Sequence, residues 1–161
     1  MKKFLRNSYL GVKLIKAEPM TSTEATRYTN RPLPENERGR DGYLVEYEDG
    51  YRSWSPKSTF EGAYRPTDGL TFGLAIEAVK KGYRIARKGW NEKGLFIVYQ
   101  KGYPQGIPCN AQTAVAWGLN EGELFRCEPY LQIKMTNGSH SMWTPSINDC
   151  LAEDWYIVEE E

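Results

Sequence analysis

Histidine is almost absent from this chain of 161 residues: His140 stands alone. Cysteine is sparse as well. Cys109, Cys127 and Cys150 are odd in number, widely spaced and form no Cys-x-x-Cys pair. Neither a disulfide framework nor a structural zinc site is indicated, and each cysteine reads as a small buried residue in a reducing cytoplasm. Long apolar runs are missing too. Leu95-Phe96-Ile97-Val98-Tyr99 is among the longest, far short of the ~20 residues that cross a bilayer. Met1 to Asn7 is basic, but no apolar stretch follows, which reads against a signal peptide and against a membrane partner.

Net charge is lacking: 21 Lys+Arg stand against 21 Asp+Glu. A duplex-binding protein needs a basic excess, because neutralising phosphates supplies most of its affinity, so nucleic acid is an unsuitable partner. The phosphate-loop, dinucleotide-fold, nucleophile-elbow and HExxH patterns are all absent. The one histidine has no base or metal partner in its neighbourhood. The adjacent carboxylates Glu153 and Asp154 would diverge on a strand or turn. These absences predict a non-enzyme with no catalytic residue, metal or cofactor.

What the chain has is aromatic surface and enough apolar mass for a core. Hydrophobic residues make up 40% and aromatics 13%, with 5 Trp and 11 Tyr. Aromatic faces pack cores and stack equally well on flat ligands.

Punctuation at Tyr64-Arg65-Pro66-Thr67-Asp68-Gly69 divides the chain into residues 1–69 and 70–161. The first part reads as a small β-rich domain, SH3-like or a meander. A strand is expected over residues 9–17, and then a polar, proline-dotted loop with one helical turn at most over 19–36. Residues 42–47 alternate with Tyr43, Val45 and Tyr47 on one face, and Glu48-Asp49-Gly50 turns the chain into Tyr51-Arg52-Ser53-Trp54. Ser55 is the expected cap of a short helix opened by Pro56, with Phe60 and Tyr64 pointing inward.

The second part reads as α+β, a small antiparallel sheet with one main helix. Thr71 caps a helix over 72–81, whose Phe72, Ala75, Ile76 and Val79 share a face, and Gly82 stops it. Strands are expected over 83–87, 95–100, 130–135, 139–143 and 155–158, with Asn137-Gly138 as a strong hairpin turn. A helical turn is expected over 145–151. Residues 102–128 are the least regular stretch, with a short helix over 111–117.

Candidate ligand groups lie where aromatics meet polar turns. Arg87-Lys88-Gly89-Trp90-Asn91 sets two cations, an indole and an amide at a strand end. Met142-Trp143-Thr144-Pro145-Ser146-Ile147-Asn148-Asp149 sets an indole before hydroxyl, amide and carboxylate groups at a helix start. A base stacked on an indole is worth ~1–3 kcal/mol, and Ser, Asn and Asp can read ribose hydroxyls or base edges. Packing into the core is the competing role for each indole.

The blocks Leu70-Thr71-Phe72 with Ala75, Ala86-Arg87-Lys88-Gly89-Trp90-Asn91, Tyr130 to Met135 with Asn137-Gly138, Trp143-Thr144-Pro145-Ser146 with Asp149, and Leu151-Ala152-Glu153-Asp154-Trp155 occur in this order. In that order they resemble the second phage Thoeris anti-defence family. The resemblance covers about residues 70–160, and residues 1–69 resemble N-terminal extensions of other phage-encoded members. It implies a sponge acting in the bacterial host cytoplasm, which binds a cyclic nucleotide second messenger (glycocyclic ADP-ribose or a cyclic dinucleotide) without cleaving it. A homotetramer with pockets between protomers is implied as well. Carried over, Trp90 is a stacking platform and Asn91 a polar reader. Trp143, Ser146, Asn148 and Asp149 line the rest, Arg87 or Lys134 lies near phosphates, and Trp155 and Phe72 belong to the core. Two departures leave the ligand open: residues 101–128 form a longer segment, bringing Tyr103 and Trp117, and Ile147 stands where many relatives are polar. The alternative function is a phage structural or adaptor protein that uses its aromatic surface to bind protein.

Overall fold

A computed structural model of the chain describes residues 12–29, 31–32, 35–90 and 94–159. The chain divides into two compact units, Met1–Arg65 and Pro66–Glu161. No helix of the described residues is long and apolar enough to cross a membrane. The second unit is α+β, as expected; the first, expected to be β-rich, also combines helices with an antiparallel sheet.

In the first unit β1 (Lys16–Pro19), β2 (Gly42–Glu46) and β3 (Arg52–Pro56) form an antiparallel sheet in the order β1-β2-β3. This is the meander reading; three strands among the described residues do not make the SH3-like one. Gly50, at φ 80°, closes the β2–β3 turn, and its amide donates to the Tyr47 carbonyl at 2.9 Å. The predicted aromatic face is real. Val45 is fully buried beside Tyr43, whose ring stacks on Phe60 at 4.1 Å, and Phe60 stacks on Tyr64 at 5.0 Å.

Three local expectations need correction. The strand expected over 9–17 pairs only from Lys16 and runs on to Pro19, because its register is set by partners 43–46 of β2; residues 9–11 of that expectation lie outside the described residues. Pro19, which cannot donate, is tolerated because β1 is an edge strand. The loop expected over 19–36 contains a helix, α1 (Ser22–Thr29). Its signal is the spacing Thr21-x-x-Glu24, a capping box: Glu24 accepts from the Thr21 amide at 3.0 Å, and Thr21 Oγ1 accepts from the Glu24 amide at 3.3 Å. Finally, Ser55 caps nothing. It pairs with Tyr43 inside β3, and Pro56 occupies the N-cap of α2 (Lys57–Ala63) without a side-chain hydrogen bond.

In the second unit α3 (Phe72–Lys80) is capped by Thr71, whose hydroxyl accepts from the Leu74 amide. Gly82, at φ 101°, ends its last turn. Ala75, Ala78 and Val79 of α3 meet Ile85, Ile97, Ile133 and Trp155 in the core. The sheet runs β10-β4-β5-β8-β9, built from β4 (Ile85–Arg87), β5 (Phe96–Gln100), β8 (Tyr130–Lys134), β9 (His140–Trp143) and β10 (Trp155–Ile157). A short helix α5 (Ile147–Leu151) joins β9 to β10.

The stretch expected to be least regular is ordered as a ribbon. β6 (Tyr103–Pro108) pairs with β7 (Leu124–Cys127), and α4 (Ala111–Trp117), expected as a helix, sits between them. Pro104, Gly106 and Pro108 break the alternation of β6, and β7 is only four residues long, so periodicity marks neither.

Register assigns the faces. Directly opposed residues share a face, and neighbours along a strand alternate. The pairs Ile85 with Ile97, Ile97 with Ile133, Leu131 with Trp143 and Arg87 with Trp155 place all of these on the core face. Lys134 pairs with Phe96 and His140 on the other face. From β10 to β9 a flat sheet would span about 19 Å, yet the Trp155 and Trp143 rings lie 6.0 Å apart. The indoles of the two edge strands therefore reach towards each other across the core face of the sheet.

Candidate functional site

The strands bring three tryptophans together at one end of the second unit. Trp90, in the turn after β4, lies 6.2 Å from Trp143 and 5.6 Å from Trp155, and every pair of rings meets edge to face. Trp155 is fully buried, and its indole N–H donates to the Asp149 carbonyl at 3.0 Å. Phe72 lies against it at 5.4 Å, so both take the core role expected of them. Trp90 and Trp143 are half-buried and keep surface to offer.

Beside the indoles runs a chain of charge-assisted hydrogen bonds. Arg87 Nη1 donates to Asp149 Oδ1 at 2.7 Å, and its Nε donates to Asp154 Oδ1 at 2.8 Å. Asp154 Oδ2 accepts from the Gly89 amide at 2.7 Å. Asp149 Oδ2 accepts from the Ser146 hydroxyl at 2.6 Å and from the Ser146 amide at 2.9 Å, which closes the capping box of α5. The guanidinium also lies 5.9 Å from the centre of the Trp155 ring, within cation–π range.

These contacts set the ionisation. Burial pushes the Asp149 carboxyl up, but hydrogen bonds from Ser146 and Arg87 together outweigh it and hold its pKa below the usual value. The hydrogen bond from Arg87 holds Asp154 below it as well, against a smaller effect of burial. Arg87 itself is raised, first by Asp154 and then by Asp149, with desolvation opposing.

Of the expected ligand groups, Arg87, Trp90, Trp143, Ser146 and Asp149 come together here. Asn148 is exposed on the first turn of α5, beside Ile147, which is 70% exposed. Asn91 lies outside the described residues. Lys134 is not part of the cluster: it sits on the opposite face of the sheet, its ammonium 5.4 Å from the centre of the Phe96 ring. The residue that sequence reasoning passed over is Asp154. As one of two neighbouring carboxylates it carries no local signal, and only the pairing of β10 with β4 brings it to Arg87.

The model of the Thoeris anti-defense 2-like domain matches residues 70–158, more than half of the chain. The chain belongs to the Thoeris anti-defense 2-like family. It is 33% identical over 93 residues to the curated protein Thoeris anti-defense 2 of Bacillus phage SP01, covering 55% of this chain and 94% of that relative. Every ligand group expected from the sequence falls inside the Thoeris anti-defense 2-like domain, and so does the Arg87 network. Residues 1–69 precede the match.

Proposed function

We propose that this chain is a phage anti-defence protein that works by binding a cyclic nucleotide immune signal in the host cytoplasm and holding it intact. The signal is glycocyclic ADP-ribose, a cyclic dinucleotide, or both. Family membership and the name of the phage relative support an anti-Thoeris role. The observation that carries the binding reading is the pair of half-buried indoles, Trp90 and Trp143, beside the capped start of α5. Half-buried indoles offer a flat apolar wall for a base, and the neighbouring Ser146, Asn148 and Asp149 supply the few polar readers that such a pocket needs. The chain acts as a homo-oligomer, a tetramer, and performs no chemistry on what it binds.

The deciding experiment titrates the purified chain with glycocyclic ADP-ribose and a panel of cyclic dinucleotides, then heats the complex and separates the released molecule by chromatography. Intact ligand supports sequestration. A cleaved product overturns it in favour of an enzyme. No binding across the panel overturns it in favour of a phage structural or adaptor protein. One observation favours that second reading: Val115, Trp117 and Leu124, in the segment that carries α4 and β7, are 87%, 65% and 62% exposed.

A further inference from the structure

Asp154 has no place among the expected ligand contacts, yet the turn that carries Trp90 is built around it. Its backbone carbonyl accepts from the Lys88 amide at 3.1 Å. Its two carboxylate oxygens are divided, Oδ1 taking the Arg87 guanidinium and Oδ2 the Gly89 amide. Arg87 in turn accepts from the Trp90 amide through its carbonyl at 3.3 Å, and its free arm reaches Asp149 at the start of α5. The approach is close enough to constrain the sequence: a Cβ at position 89 would lie 2.9 Å from Asp154 Oδ2. One carboxylate thus ties together the strand end, the turn and, through Arg87, the helix that follows Trp143.

We propose that Asp154 is a positioning residue: by gripping Arg87 and the Gly89 amide together, it holds the Trp90 indole in the edge-to-face arrangement with Trp143 and Trp155 that receives the flat base of the signal. This rests on the sequestration reading above. It also changes the part played by Arg87, from a cation offered to a phosphate to a hub within the protein. A guanidinium flanked by two ionised carboxylates belongs to a cluster of net negative charge, which a phosphate does not enter favourably. Charge-assisted bonds of this length are about twice as strong as neutral ones. A turn held by them is organised before the ligand arrives, so binding has less ordering entropy to overcome.

The test uses the full chain with Asp154→Asn, Asp154→Ala and Gly89→Ala. Near-ultraviolet circular dichroism of the ligand-free proteins reads the coupling among the indoles, and calorimetry with glycocyclic ADP-ribose reads affinity. The indole signal should fall from wild type to Asp154→Asn to Asp154→Ala with the far-ultraviolet spectrum unchanged. The Asn variant keeps an oxygen for Gly89, which makes it a partial rescue. Affinity should fall at least about tenfold for Asp154→Ala, the loss expected for a charge-assisted bond. Gly89→Ala, which pushes the carboxylate off the amide, should follow Asp154→Asn. A lowered melting point with the indole signal unchanged would make Asp154 a merely structural residue and overturn the proposal, as would unchanged affinity. If Asp154→Ala does not fold, the two milder variants decide in the same way. Failure of the wild-type chain to bind removes the sequestration reading alone, because the ligand-free indole signal still decides whether Asp154 holds the turn.

Discussion

Two helices of this chain start on the same local device and put it to different use. At α1, Thr21 and Glu24 close a capping box on the protein surface, and the hydrogen bonds of the carboxylate run back to Thr21. At α5, Ser146 and Asp149 close the same box, but Asp149 is 9% exposed and its second oxygen accepts from Arg87, 62 residues earlier in the chain. The first box satisfies backbone amides that water would otherwise satisfy. The second also neutralises a guanidinium on the core side of the sheet, where an unpaired charge is costly. A shared motif therefore says little about importance; burial and the distant partner decide it.

The widest gap between the two boxes should appear on deletion. Asp149→Ala leaves the Ser146 cap on the backbone amide but removes the return half of the box and the charged partner of Arg87, for a combined loss of about 3 kcal/mol in urea unfolding. A loss no larger than that of an ordinary surface cap would erase the contrast.

Next in size is the stacking prediction. Trp90→Ala should weaken glycocyclic ADP-ribose binding by the ~1–3 kcal/mol of one base stack, and should lower stability only by what its two edge-to-face contacts contribute, about 0.5–1.5 kcal/mol each, with the fold retained. Collapse of the fold would instead place Trp90 with Trp155 as a core residue.

The buried box also ties stability to pH. Asp149 and Asp154 have folded pKa values below their unfolded ones. Their contribution is therefore present above the ordinary aspartate value of about 3.9 and is lost as pH falls through the folded values. Stability measured against pH should decline in that acidic window for the wild type, and the doubly substituted Asp149→Asn, Asp154→Asn chain should be flatter there. Equal slopes would show that the carboxylates do not carry the linkage.

The smallest effect is expected at the exposed box. Glu24→Ala should leave the melting curve close to that of the wild type, since its carboxylate stands in water in both states and gains little from one more partner. A shift as large as that of Asp149→Ala would mean that the surface box is coupled to something beyond Thr21.

Much of the second unit was legible in its residues. The Thr71 cap, the apolar face of α3, the Asn137-Gly138 turn between β8 and β9, and the strands over 130–134 and 155–157 all follow from periodicity and turn chemistry. The α1 box was equally local and was missed because Pro19 and the polar run after it suggested a loop. The β6–β7 ribbon was not legible, since Pro104, Gly106 and Pro108 break any alternation.

The site divides along the same line. Trp90, Trp143, Ser146 and Asp149 could be picked out because each stands beside a turn or cap signal within a few residues. That Lys134 turns away from them depends on register across β5, β8 and β9. The role of Asp154 depends on β10 lying beside β4, strands whose paired residues are 68 apart in number at Arg87 and Trp155.

The sequence by itself determined the capped helix starts at α1, α3, α4 and α5, the turns and which strand residues are apolar, because the partners that make those features lie within one turn of the chain. Only the tertiary structure decided which charges meet and which indoles touch. Those contacts depend on strand order and on register between strands distant in the chain, and no local period encodes either.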